Sequence, residues 1–150
     1  MESELGITMP ESFKALVNLF GAGYWGKLLW VIQPSIHWQK DSIIALNERY
    51  RDHFPGLCWY PDADGLMPWG FSDSRTALFW DTNYDDPEAW PIVILEYGFE
   101  PERFPCSVTE FLVREIQGEN GSFLLPANIR TNPHFYCRVD SGEWIDVCKL

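Results

Sequence analysis

The four consecutive apolar residues Ile92-Val93-Ile94-Leu95 constrain the fold more than any other part of the chain. The run is too short for a typical helix, and its β-branched residues favour a strand. A strand that is apolar at every position, instead of at every second position, is typical of a strand buried on both faces. We therefore expect Ile92–Tyr97 to form a central strand of a sheet that is covered on both sides.

Three segments carry the signals of helices that could cover such a sheet. Two of them begin with the Ser/Thr-x-x-Glu spacing of a capping box, at Thr8 and Glu11 and at Ser107 and Glu110. Gly21 stands where a left-handed C-cap would end the first helix. Apolar residues recur three and four positions apart behind each start. The predicted helices are Thr8–Gly23, a segment from a cap at Asp41 to a stop at Pro55-Gly56, and Ser107–Gly118.

The other elements read as strands and turns. Pro61–Gly65 has the composition of a turn, and Asp140-Ser141-Gly142 is a good three-residue hairpin loop. Further strands are expected at Leu28–Ile32, Thr76–Trp80, Phe135–Val139 and Glu143–Val147. With 150 residues, 46% of them hydrophobic, the chain is expected to form one packed domain over residues 1–150. The order of elements predicts an α+β fold, with helices packed on a mostly antiparallel or mixed sheet.

The chain contains eight tryptophans, a large number for its length. Each aromatic side chain can bury roughly 150–250 Å² at low conformational cost, so a small domain gains stability from them. We expect most of these rings to fill the core. A cage of exposed rings around a ligand is the alternative.

The charge of the chain is strongly negative and unevenly distributed. The net charge is −11, which disfavours general binding to the phosphate backbone of DNA or RNA. Between Asp62 and Glu102 there are ten acids and one base, Arg75. Such a segment can simply keep the protein soluble, or it can steer a basic partner protein to its docking surface.

The spacing of the cysteines bears on metal binding, and the N-terminal residues bear on whether the protein is exported. Cys58, Cys106, Cys137 and Cys148 contain no closely spaced pair, so a structural zinc site is not expected. Met1–Glu4 is acidic where a secretory signal would be basic, and no apolar run approaches the roughly 18–20 residues of a membrane helix. We therefore expect a soluble, unexported protein with free, buried thiols.

Several catalytic and metal-binding patterns are incomplete. Gly70-Phe71-Ser72-Asp73 begins like a nucleophile elbow, but the final glycine is replaced by Ser74. A calcium loop starting at Tyr60 would need ligands at Tyr60 and Phe71, and neither side chain can coordinate calcium. His37, His53 and His134 are far apart, and the pair Asp85-Asp86 lies in a polar loop. We predict no catalytic residue, no metal site and no cofactor.

Three blocks of the sequence together resemble the SUKH superfamily, which includes a yeast cell-wall-synthesis regulator and many bacterial immunity proteins. The run from Leu5 to Gly23 is similar to the opening helix of that family. The central block is similar at Leu66-Met67-Pro68-Trp69-Gly70, at Leu78-Phe79-Trp80, and at Pro87 with Trp90-Pro91-Ile92-Val93. The closing helix is similar at Ser107-Val108-Thr109-Glu110-Phe111-Leu112 with Gly118. The chain departs from the family at Arg75-Thr76, where a Gly-Asp pair is common.

The resemblance implies an α+β fold and a non-enzymatic antitoxin of the bacterial cytoplasm. Such a protein neutralises a polymorphic or contact-dependent toxin, often a nuclease, by binding it tightly. We predict that the acidic surface of this chain covers a basic toxin domain, with no direct contact to nucleic acid or membrane. The residues expected to contact the partner are Asp62, Asp64, Asp73, Asp81, Asp85, Asp86, Glu88 and, as an anchor if it is not in the core, Trp90.

Two other classes of function stay open. The first is a regulatory scaffold for protein–protein interaction, as the cell-wall branch of the superfamily suggests. The second is a hydrolase with an unrecognised site, which a metal ion or a buried acid pair near His37 or His134 would indicate.

Overall fold

The computed structural model describes residues 2, 6–21, 23–26, 29–32, 43–72, 75–131, 133–138 and 143–147. The helices in this part of the chain are α1 (Glu11–Phe20), α2 (Ile43–His53), α3 (Val108–Gln117) and the short α4 (Asn128–Thr131). The strands are β1 (Gly23–Trp25), β2 (Leu29–Val31), β3 (Leu66–Ser72), β4 (Ala77–Asp81), β5 (Ile92–Leu95), β6 (Glu102–Phe104), β7 (Phe135–Arg138) and β8 (Trp144–Asp146), with a 3₁₀ turn at Pro87–Ala89.

The eight strands form one sheet in the order β6-β5-β4-β3-β2-β1-β7-β8. Every neighbouring pair in this sheet is antiparallel. The consecutive pairs β3–β4, β4–β5, β5–β6 and β7–β8 are hairpin neighbours, whereas β1 joins β7 across the length of the chain. The predicted α+β class with a mostly antiparallel sheet is therefore confirmed.

Helices cover both faces of the sheet. Successive side chains of β4 point to opposite faces, and each face has its own core cluster. Leu78 and Trp80 belong to the larger core cluster, together with Phe13 of α1 and Phe111 of α3. The intervening Phe79 belongs to a second cluster on the other face. Tyr50 and Phe54, at the C-terminal end of α2 and just beyond it, pack against that second cluster. The strands are packed on both faces, so the positions of the loops at the two ends of the sheet are fixed by the strands that they connect.

The strand β5 is buried at all four positions, as its apolar run predicts. It is the second strand from the edge, however, and the centre of the sheet includes β3, which was not predicted as a strand. Pro68 and Gly70 within β3 read as strand breakers in the sequence. The pairing with β4 shifts between these two residues, and this bulge accommodates them.

The helix α1 begins later than its capping-box spacing predicts. It spans Glu11–Phe20, its N-cap position is Pro10, and no side chain at that position caps it. The prediction of a cap by Thr8 is therefore wrong, and its place is taken by a distant carboxylate described below. Gly21 ends the helix with φ of 73°, and its N–H donates to the carbonyl of Val17, so the predicted helix end at this glycine is confirmed. Its ψ of −164° lies outside the left-handed helical region, so the predicted left-handed C-cap does not form.

The other sequence predictions of local structure have mixed outcomes. Ser107 caps α3 by accepting from the N–H of Glu110, and Gly118 ends it in the left-handed conformation, both as predicted. The strands β7 and β8 pair as the expected hairpin. The residues Asp41 and Asp140-Ser141-Gly142, predicted as a helix cap and a hairpin loop, lie outside the described residues.

Four tryptophans lie in the core, which confirms their predicted role: Trp59, Trp69, Trp80 and Trp90. The ring of Trp80 contacts Phe13 edge-on at 4.7 Å between centroids. By contrast, Trp25 and Trp30 are half-buried and Trp144 is exposed, whereas Trp38 lies outside the described residues.

Three cysteines are described, and each has a free thiol. Cys106 is buried, Cys137 is half-buried and Cys58 is exposed, so the expectation of buried thiols holds only for Cys106. Burial raises the pKa of the Cys106 thiol, since it disfavours the thiolate. Cys148 lies outside the described part of the chain.

Among the residues described, no helix has the length and apolar character needed to cross a membrane.

Candidate functional site

Two acidic connections meet at one end of the sheet. The turn at residues 61–65 precedes β3, and the connection at residues 82–91 follows β4. Leu66 pairs with Asp81, so the two connections leave the sheet side by side. The hydroxyl of Thr82 also donates to the carbonyl of Gly65 at 2.7 Å and ties them together. We call this surface the acidic end and define it by six residues: Asp62, Asp64, Asp81, Asp85, Asp86 and Glu88.

The remaining acids of the segment 62–102 do not join this surface. Ala77 pairs with Leu95 and Ile94 pairs with Glu102, which places Glu96, Glu100 and Glu102 at the opposite end of the sheet. Antiparallel strands reverse direction at each connection, so successive loops alternate between the two ends. Asp73 lies outside the described residues. The acids of the segment 62–102 therefore form two groups at opposite ends of the sheet, and the described acids that were predicted to contact the partner all belong to the acidic end.

The carboxylates of the acidic end differ in how far their charge is compensated. Asp81 forms an ion pair with Arg103 on the neighbouring edge strand β6. Asp62, Asp64 and Asp85 are exposed and form no ion pair with any other described residue. The acidic end therefore presents negative charge that the described part of the chain leaves largely uncompensated.

Glu88 and Asp86 are acceptors for backbone N–H groups. Asp86 accepts from the N–H of Glu88 at 3.0 Å and begins the 3₁₀ turn. Glu88 Oε1 accepts from the N–H of Ser12 at 2.8 Å, although the two residues are 76 positions apart. A carboxylate at the first turn of a helix satisfies an unpaired donor and interacts favourably with the helix dipole. Glu88 is therefore the cap of α1 as well as a member of the acidic end.

Replacing Glu88 with alanine is expected to lower the free energy of unfolding by about 0.5–1 kcal/mol, because the N–H of Ser12 loses its acceptor and the helix dipole loses its anion. Urea unfolding followed by circular dichroism measures this loss. The matched control is Asp85→Ala, a neighbouring acid without such a contact, which should leave stability unchanged. Equal unfolding midpoints for Glu88→Ala and the wild type would show that the contact does not stabilise α1.

The one lysine described near this end is itself paired with acids. Lys14 Nζ contacts Glu11 and Glu2, and both contacts raise the pKa of Lys14. The N–H of Met9 donates to Glu2 and, together with Lys14, lowers the pKa of the Glu2 carboxyl. Two carboxylates therefore surround one ammonium group at the start of α1, so Lys14 does not offset the charge of the acidic end.

Trp90 cannot serve as an exposed anchor in this structure. Its side chain is 4% exposed, and its ring lies 6.1 Å from that of Trp80, in the core. Its Nε1–H donates to the carbonyl of Tyr84 at 2.8 Å and so holds the connection 82–91 against the core. Tyr84 is instead the aromatic residue that the acidic end exposes, at 51%. Its place between Asp81 and Asp85 in the sequence was a usable signal, but burial decides which ring faces outward.

The described histidines are placed as structural residues. His53 Nδ1 lies 2.7 Å from the carbonyl of Arg49 within the same helix. His134 Nδ1 lies 2.9 Å from Asp146 Oδ2, and this contact joins the residue that precedes β7 to the last residue of β8. His37 lies outside the described residues. Within the described ranges, no group of three or more His, Cys, Asp or Glu side chains is arranged to hold a metal ion.

No protein-family model matches the chain, and neither a curated protein nor a solved structure matches it. The resemblance to the SUKH superfamily therefore stays a prediction that rests on the sequence blocks given above.

Proposed function

We propose that this chain is a non-enzymatic immunity protein of the bacterial cytoplasm, which binds and neutralises a basic toxin domain through the acidic end. The observation that carries the proposal is the convergence of six carboxylates at one end of the sheet, five on two adjoining connections and Asp81 at the end of β4, where it is ion-paired to a described base. The resemblance of the chain to a superfamily rich in immunity proteins supports the same class.

A nuclease toxin is the partner class that fits this surface best. A nuclease has to be positive where it holds phosphate groups, so an acidic surface of matching extent competes directly with its substrate. Charges at the rim of an interface mainly raise the association rate. An exposed aromatic residue that becomes buried in the complex slows dissociation. Tyr84 is the exposed ring beside the acids and supplies such an anchor.

The test needs a candidate partner, which is any toxin domain that a neighbouring gene encodes, and a triple variant, Asp62→Asn, Asp64→Asn and Asp85→Asn. These side chains are exposed and unpaired within the described structure, so folding should be unaffected. We expect stopped-flow association at low ionic strength to slow by roughly 10- to 100-fold, with a weaker dependence on salt. Dissociation should change little.

The matched control removes the same charge elsewhere, through Glu48→Gln, Asp52→Asn and Glu119→Gln, all exposed. This control should retain nearly the wild-type association rate. If association slows equally in both variants, the net charge of the protein controls the association rate and the acidic end is not a defined docking surface. Unchanged killing on co-expression with the toxin, together with the absence of a complex on a sizing column, would overturn the proposed function.

A further inference from the structure

A tight turn at the opposite end of the sheet displays two aromatic rings. The N–H of Phe99 donates to the carbonyl of Glu96 at 3.1 Å, and Gly98 between them adopts φ of 87°. This conformation favours glycine, so the turn is a defined one and not a loose loop. It exposes Tyr97 by 80% and Phe99 by 63%. Two large rings held outward on a hydrogen-bonded turn are pre-organised for contact with another molecule.

A cleft lies between this turn and the C-terminal end of α2. Its two walls are residues 53–57 and residues 95–101, and its volume is about 230 Å³. Leu57, Phe54 and Phe99 give it an apolar lining. We call it the Phe99 cleft. Small-molecule sites are typically about 300–1,000 Å³, so the cleft suits one long side chain of a partner better than a whole metabolite.

The charge around the Phe99 cleft is negative. Glu96 lines it, and Glu100 is exposed between two lining residues, Phe99 and Pro101. His53 is the one basic residue in the lining. An apolar floor beneath exposed rings and carboxylates matches the arginine side chain, which combines an aliphatic stem with a planar cation. Its guanidinium group can stack on an aromatic face and pair with a carboxylate at the same time.

We propose that the Phe99 cleft is a second docking site, which receives an arginine side chain from an exposed basic segment of another protein. The site goes beyond the proposed function, because it lies at the end of the sheet opposite the acidic end. A second copy of this chain is disfavoured as the occupant. The cleft is acidic and the chain has a net charge of −11, so two such surfaces repel each other.

The probe is a fluorescein-labelled hexapeptide of alternating arginine and leucine, with its affinity measured by fluorescence anisotropy on the isolated full-length chain. We expect Tyr97→Ala with Phe99→Ala to weaken binding by about five- to tenfold, since two cation–aromatic contacts are lost. Glu100→Gln should weaken it about two- to threefold. The control is Phe123→Ala, a ring that is 94% exposed and outside the cleft lining, which should bind like the wild type.

Peptide chemistry distinguishes the proposed occupant from others. A lysine–leucine peptide of equal charge should bind more weakly than the arginine peptide, and a glutamine–leucine peptide should show no measurable binding. Equal binding of the glutamine peptide would overturn the proposal, because the cleft would then recognise apolar chain alone. Equal loss in Phe123→Ala would also overturn it.

Two further measurements complete the test. In nitrogen-15 spectra of the labelled protein, the arginine peptide should shift the amides of residues 96–100 more strongly than those of the acidic end. Shifts confined to the acidic end would overturn the Phe99 cleft as the site. Sedimentation velocity tests whether a second copy of the chain occupies the cleft. Dimerisation of the wild type that is lost in the variant Tyr97→Ala with Phe99→Ala would contradict the proposal. Failure of the Phe99 cleft as a docking site would not overturn toxin binding at the acidic end, which the association-rate measurements test separately.

Discussion

Arg130→Ala is expected to lower the free energy of unfolding by about 3–5 kcal/mol, because it breaks a buried ion pair and leaves its partner uncompensated. Glu115 of α3 is fully buried, and its carboxylate is paired with Arg130 at 3.1 Å. The amide of Asn120 donates to the other carboxylate oxygen at 3.2 Å. Without Arg130, a carboxylate is left inside the protein with no cation to compensate it.

The chain provides a matched control for this prediction. Arg114 and Glu110 also form an ion pair on α3, but both side chains are 47% exposed. Arg114→Ala should therefore cost no more than about 0.5 kcal/mol, as is usual for exposed pairs one helical turn apart. Both variants are compared with the wild type by urea unfolding. Losses of similar size in the two variants would show that the buried pair has no special role.

The network also connects distant parts of the chain. Arg130 belongs to α4 and donates to the carbonyl of Ser122 at 3.1 Å as well as to Glu115. It therefore joins α3, the connection that follows α3, and α4. Replacement of Glu115 and Arg130 together by leucine should cost less than Arg130→Ala alone, since no uncompensated charge is left buried. This double variant separates loss of the ion pair from loss of side-chain volume.

Trp90→Ala is expected to lower the free energy of unfolding by about 3–5 kcal/mol, because it removes a buried ring and leaves a cavity beside Trp80. For a chain of this size, each kcal/mol lowers Tm by about 2–4 °C. The carbonyl of Tyr84 also loses its donor, so the connection 82–91 loses its attachment to the core. Thermal unfolding by calorimetry measures the effect.

Trp144→Ala is the matched control, since that ring is 41% exposed. It should destabilise the protein less than half as much as Trp90→Ala. Trp90→Ala could instead stay within about 1 kcal/mol of the wild type in stability and bind the toxin more weakly. That result would support the alternative role of Trp90 as an anchor for the partner. That combination would contradict the core placement of the ring.

Much of the local structure could be predicted from the sequence. The cap of α3 at Ser107 and its end at Gly118 depend on residues within one helical turn, and both are confirmed. The helical spacing of Val108, Phe111, Leu112 and Glu115 on α3 also places Glu115 on the buried face, so its burial follows from the sequence pattern. The cap of α1 was mispredicted because its acceptor, Glu88, is remote in the sequence.

The candidate site was only partly predictable. Six of the seven acids expected to bind the partner lie at one end of the sheet, and Asp73 lies outside the described residues. Trp90 was predicted in the core in preference to an anchor at the surface, and its burial confirms the core placement. The Phe99 cleft was not anticipated, since its walls come from α2 and the β5–β6 connection, which pattern alone does not bring together.

The amino-acid sequence by itself determined the helix α3, the buried strand β5, the α+β class and the excess of acid between Asp62 and Glu102. These features follow from composition and from residues a few positions apart. Only the tertiary structure decided which acids share a surface, which tryptophan faces outward and what caps α1. The reason is that strand pairing joins residues far apart in the chain, and each reversal of an antiparallel strand sends the next loop to the other end of the sheet.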